Sequence, residues 1–172
     1  MSWQTNALLI QKDFSDDFLG MFSKLGLNGA ELAGTISFDD AASFSNEGVA
    51  AEVVNGWTAL WGHIPLYMVK EECLQELAVY ADIFQMYLEG TSGTAGFSWW
   101  CEGKSARKYV RQAGTETKNE GTPLPFEASV FDNNDDEQAV LQILETLTVP
   151  LKELSAVPYQ HFIFSLEALY EM

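Results

Sequence analysis

Apolar and polar positions along this chain repeat in two different periods, and the switches between them outline its elements. Residues 5–12 (TNALLIQK) carry a compact apolar run that predicts a strand. A short helix is expected next, with Ser15 as N-cap, Asp16 and Asp17 in the first turn, and Phe14 stapled on Leu19. Phe18, Phe22 and Leu25 share its apolar face, and Gly26 suits a left-handed stop. LAGTISF (residues 32–38) reads as a strand ended by Asp39-Asp40. GVAAEVV and WTALWG flank Asn55-Gly56, a strong hairpin signal because both turn residues accept positive φ. IPLYMV either continues that strand or forms another.

The stretch Lys70 to Glu89 predicts the clearest helix. Cys73, Leu77, Tyr80, Phe84 and Tyr87 recur at three- and four-residue steps, and acids and glutamines fill the opposite side. Gly90 supplies its stop. Ala95 to Cys101 and Ala106 to Gln112 then read as strands joined by EGKS, with Gly103 at the tip. Arg107, Tyr109 and Arg111 fall on one face of the second strand and Lys108 on the other. Charge on both faces predicts an exposed hairpin at a sheet edge, where it discourages aggregation. GTETKNEG reads as a polar loop, and the segment after it as a strand that Pro123 and Pro125 confine to an edge. Asn134 and Glu137 resemble a capping box opening a helix through Leu147, with Val140, Leu141, Leu144 and Leu147 inward. Pro150 ends it, a helical turn is expected at Leu151 to Ser155, and residues 159–172 fit either helix or strand.

This order predicts one α+β domain over residues 1–172: a largely antiparallel sheet packed against a long amphipathic helix and shorter helices. Length supports it. A chain of 172 residues buries about 70% of the surface its unfolded form exposes. A hydrophobic content of 47% lies far from the disordered regime. No apolar run approaches the roughly 20 residues of a membrane span. The start lacks a basic region and a secretory apolar core, so a cytoplasmic location is expected and a membrane partner is not.

Charge changes the picture most. The formal net charge of −16 repels nucleic-acid phosphates and draws cationic partners. Asp132, Asp135, Asp136 and Glu137 form the densest acidic cluster. It lacks the glycine and distal glutamate of a calcium loop, so these acids read as helix-start charges. Cys73, Cys101, His63 and His161 have no metal-ligand spacing, and neither a metal nor a cofactor is expected. The two cysteines are expected to be free thiols. Cys73 reads as buried and inert in a helical stripe, and Cys101 shares a hairpin with Arg107, a neighbour that would acidify it. There is no nucleophile elbow and no phosphate-binding glycine loop, so enzymatic activity has no support from motifs. Trp57, Trp61, Trp99 and Trp100 either fill the core or line a ligand pocket. Trp99 is assigned to the core, and Trp100, which must face the other way, is left open to a recognition role.

The segment from Phe97 to Glu127 resembles a pattern found in small, uncharacterised bacterial proteins, some of which look like immunity partners of secreted toxins. A strand ends in a glycine turn (FSWWCEG), a strand with an arginine follows (ARKYVR), and a loop leads to GTPLPFE. The resemblance covers under a fifth of the chain and implies no catalytic residue. With the acidity, it leads to the expectation of a non-enzymatic binding protein that neutralises a cationic toxin. Asp132, Asp135, Asp136 and Trp100 are the expected partner-binding residues. The alternative expectation is a small-molecule binder or enzyme with a tryptophan-lined pocket.

Overall fold

The computed structural model describes residues 3–165. Among them nine strands form one antiparallel sheet, and seven helices cover its two faces. The strands are β1 (Gln4–Ile10), β2 (Ala30–Ile36), β3 (Val49–Val54), β4 (Trp57–Gly62), β5 (Ile83–Glu89), β6 (Thr94–Cys101), β7 (Lys104–Gln112), β8 (Thr115–Gly121) and β9 (Tyr159–Phe164). Their order across the sheet is β2-β9-β3-β4-β1-β5-β6-β7-β8. Three hairpins have two-residue turns in the left-handed region that the primed turn types require. These are Asn55-Gly56 (φ 49° and 79°), Glu102-Gly103 (52° and 75°) and Ala113-Gly114 (50° and 79°). Alanine has no side-chain hydrogen bond to offset that conformation, so the third turn is strained.

The strands of the sheet's centre are apolar on both sides because both sides are covered. On one face lie α2 (Phe38–Ala41), α5 (Glu127–Asn133), α6 (Asp136–Leu147) and α7 (Leu151–Leu154). Here Ala139, Val140, Ile143 and Leu144 of α6 lie over Phe84 and Met86 of β5 and Phe97 of β6, while Phe38 of α2 meets Trp61 of β4 with ring centroids 5.0 Å apart. Phe84 and Phe97 stack with centroids 5.9 Å apart. On the other face lie α1 (Phe18–Lys24), α3 (Ile64–Tyr67) and α4 (Glu71–Leu77), which cover Leu8, Leu60, Ile83, Trp100 and Phe162.

The sheet, the α+β class and the Asn55-Gly56 hairpin agree with the sequence pattern, but the expected long helix over Lys70 to Glu89 does not exist. The chain forms α4 and then turns into β5. Phe84, Met86 and Leu88 pack on one face of β5 and Ile83 on the other. A strand buried on both sides has a nearly continuous apolar run, and that run also satisfies a helical stripe. The longest described helix is α6. Its N-cap is Asp135, one residue beyond the expected Asn134, and the Asp135 carboxylate accepts from the Gln138 amide at 2.9 Å.

Smaller corrections follow the same logic. Asp17, not Ser15, caps α1, accepting from the Gly20 amide at 2.8 Å, and Leu19 points to solvent instead of meeting Phe14. Asp39 and Asp40 start α2 instead of closing a turn. IPLYMV opens α3, with Pro65 in the first turn where it costs no hydrogen bond. GTETKNEG is β8, an edge strand, and the residues after it form a loop and α5 instead of a proline-bearing strand. Of residues 159–172, the first six form β9, and 166–172 lie outside the described residues.

Candidate functional site

The hairpin expected to be exposed is instead an interior part of the sheet. β7 pairs with β6 on one side and β8 on the other. Its Arg107 is only 2% exposed. The guanidinium donates from Nε to Glu127 Oε2 at 3.0 Å, and a second bond from Nη2 makes the pair bidentate. Glu127 Oε2 also accepts from the Leu124 amide at 3.1 Å. The arginine of ARKYVR thus holds the last residue of GTPLPFE and fixes the loop between β8 and α5. Arg111 reaches Asp136 at 3.4 Å and donates to the Gly114 carbonyl at 2.9 Å. These two cations are spent inside the fold, and β7 presents no basic strip.

The opposite face of the same strands is different. Neither α3 nor α4 extends over the outer half of β5 to β8, and a groove of about 600 Å³ remains there. Pairing register explains its floor. Tyr87, Gly96, Val110 and Lys118 stand in one row across β5, β6, β7 and β8. Gly96 is required in that row, since a Cβ would lie 2.7 Å from a Val110 methyl. Beside it Lys108 lies 3.6 Å from Glu71 of α4 and 6.0 Å above the Tyr87 ring. The Tyr87 hydroxyl is 3.4 Å from the Ser98 hydroxyl. Burial pushes the Tyr87 phenol up to about 12. His63, Ile64 and Tyr67 wall the groove at the α3 end, and the Asn6 amide donates to the His63 carbonyl at 3.0 Å.

The expected site residues do not come together. Trp100 is 6% exposed and packs in the core under α4, on the face opposite α5 and α6. Asp132 is exposed on α5, Asp135 caps α6, and Asp136 faces Arg111. Glu137 accepts from the Trp3 amide at 3.1 Å. The tryptophans do not line one pocket. Trp57, Trp61 and Trp99 belong to the α6 side and Trp100 to the other. The groove over β5 to β8 mixes Tyr67, Tyr87, Lys108 and Lys118 with apolar and acidic side chains such as Leu74, Val110 and Glu89, a set that no local sequence motif announces.

Both thiols are free and half-buried. Cys101 is not acidified: burial pushes its thiol up, with Asp82 and Glu102 adding to the effect, while Arg107 turns to Glu127. Cys73 is likewise raised, by burial and then by Glu76 and Glu72, but it is half-buried where full burial was expected. Among the described residues no His, Cys, Asp and Glu side chains group to hold a metal ion. No described helix is long and apolar enough to cross a membrane. Comparison of the chain with protein-family models, curated proteins and solved structures gives no match.

Proposed function

We propose that this is a cytoplasmic, non-enzymatic binding protein that holds a cationic protein partner, in the manner of an immunity protein neutralising a toxin. The observation that supports this most is the set of exposed apolar side chains at the two ends of the α3–α4 segment: Ile64 and Tyr67 (76%) on α3, and Val79 and Tyr80 (80%) in the turn after α4, with exposed Glu71, Glu72 and Glu76 on α4 between them. Large apolar and aromatic side chains on a monomer's surface favour association, and tyrosine anchors ringed by charge are typical of interface centres. The carboxylates select a basic partner and speed its arrival. Asp132, Asp135 and Asp136 add to the long-range field, although Asp135 and Asp136 already serve α6 and Arg111. Trp100 has no part in this surface.

The test is association kinetics with the product of the adjacent gene. Tyr67→Ala with Tyr80→Ala should weaken binding by more than about thirtyfold through faster dissociation, as expected for two interface anchors. Raising salt should slow association steeply. A complex indifferent to both changes removes this surface from the mechanism.

A further inference from the structure

We propose that the groove over β5 to β8, whose α3–α4 wall shares Ile64, Tyr67 and Glu71 with the surface proposed for the basic partner, takes a short zwitterionic peptide of about four residues with an apolar middle. The argument begins with which charges in the groove are already matched. Lys108 and Glu71 neutralise one another at 3.6 Å. Two charges that line the groove have no ion-pair partner among the described residues, Glu89 on β5 and Lys118 on β8. They stand at opposite ends, one carboxylate and one ammonium. Glu120, across from Lys108 on β8, does not line the hollow.

Lys118 shares a row with Tyr87, three strand spacings across, and Glu89 lies two residues beyond Tyr87 along β5, so at ~4.8 Å per strand and ~3.4 Å per residue the two backbones are about 16 Å apart. An extended peptide of about four residues, met at each end by the reach of a Glu89 or Lys118 side chain, sets a free amino terminus at Glu89 and a free carboxylate at Lys118. Between these ends Tyr87, Val110, Val69 and Leu74 give the lining its apolar part, with the matched Lys108–Glu71 pair beside the Tyr87 ring. Tyr67 stands exposed at the rim, where it can close over the peptide's central side chains. A volume of about 600 Å³ lies within the range of sites that enclose such ligands. The opposite polarity of the two ends fixes the peptide's direction and disfavours ligands with like charges at both ends.

The experiment is calorimetric titration of the intact protein with the tetrapeptide Gly-Leu-Phe-Ala in four forms: free-ended, N-acetylated, C-amidated and doubly blocked. The free-ended form should bind tightest, and each block should weaken it by about twofold to fivefold, the scale of an exposed ion pair. Glu89→Gln should erase only the cost of acetylation, and Lys118→Gln only the cost of amidation. Val110→Trp, checked for native circular dichroism, should fill the floor and abolish binding of every form. Should Val110→Trp unfold the chain, the two end-specific losses decide the matter alone. No heat from the free-ended peptide at millimolar concentration, equal affinity for free-ended and doubly blocked forms, or end preferences that survive both substitutions would each overturn the proposal.

Discussion

Arg107 and Lys108 are consecutive residues of one strand, and each meets a glutamate from a helix, yet the two faces of the sheet give them different work. On the α5–α6 side Arg107 and Glu127 are sealed from water and tie a loop to the sheet. On the α3–α4 side Lys108 is partly wet, and the carboxylate of Glu71 is mostly exposed. The chemistry of the two pairs is alike. What differs is the cover above them, and the cover decides whether a pair holds the fold or sits at the floor of an open groove. A buried pair cannot lose one member without stranding a charge, whereas a wet one falls back on solvent.

The contrast is sharpest in stability. Arg107→Ala should cost about 3–5 kcal/mol, the scale for an orphaned buried charge, read from the midpoint of urea unfolding. A loss below about 1 kcal/mol would mean that the closed face is as wet as the open one. The second test concerns how dry the open face becomes at its floor. Burial raises the Tyr87 phenol to about 12. As pH rises from 10 to 12, the unfolded chain ionises at this position while the folded chain keeps its proton. Stability from this group is therefore complete below pH 10 and declines through that window, by about 1.4 kcal/mol per pH unit. Tyr87→Phe should remove that part of the slope, and absorbance titration of that variant should lose one of the late-ionising phenols, leaving those of Tyr159 and Tyr109, which burial also raises. A slope unchanged in Tyr87→Phe would show a floor open to water.

The turn that joins the two outermost strands serves both faces equally. Ala113 holds φ of 50° there. Ala113→Gly should stabilise the protein by about 1 kcal/mol by relieving the left-handed strain, and the gain should be the same with or without the Tyr87 substitution. The smallest effect is expected at Lys108→Ala, less than about 1 kcal/mol, measured by the same urea midpoint. A loss there comparable to that of Arg107→Ala would abolish the distinction between the faces.

The sequence carried most of the architecture in local signals. Asn55-Gly56 and the glycine at 103 specify turns by backbone sterics alone, and the apolar spacing of Val140, Leu141 and Leu144 specifies α6. Where it misled, two physical patterns overlapped. Residues 83–88 are apolar on both faces of a strand, and the same letters extend a helical stripe from Cys73. β8 has no apolar residue, because an edge strand wet on both sides needs none, so TETKNEG looks like a loop. Arg107 looked like a surface charge because its partner lies twenty positions away on a helix. The groove was invisible for the same reason on a larger scale. Its row of Tyr87, Gly96, Val110 and Lys118 draws one residue from each of four strands, and only register brings them side by side.

The placement of β9 has a consequence for the order in which the protein can be assembled. β9 lies between β2 and β3, and β2 pairs with no other described strand. During synthesis at ~5–20 residues per second, residues 30–36 leave the ribosome on the order of ten seconds before their pairing partner is made. For that interval β2 has nowhere to dock, while β1, β3 and β4 can already assemble. The last described strand therefore admits one of the earliest, and two strands join the sheet in a single late event. A non-local closure of this kind makes folding slow relative to the hairpins it follows. It also makes the nascent chain vulnerable at one known place, the unpaired flank of β3.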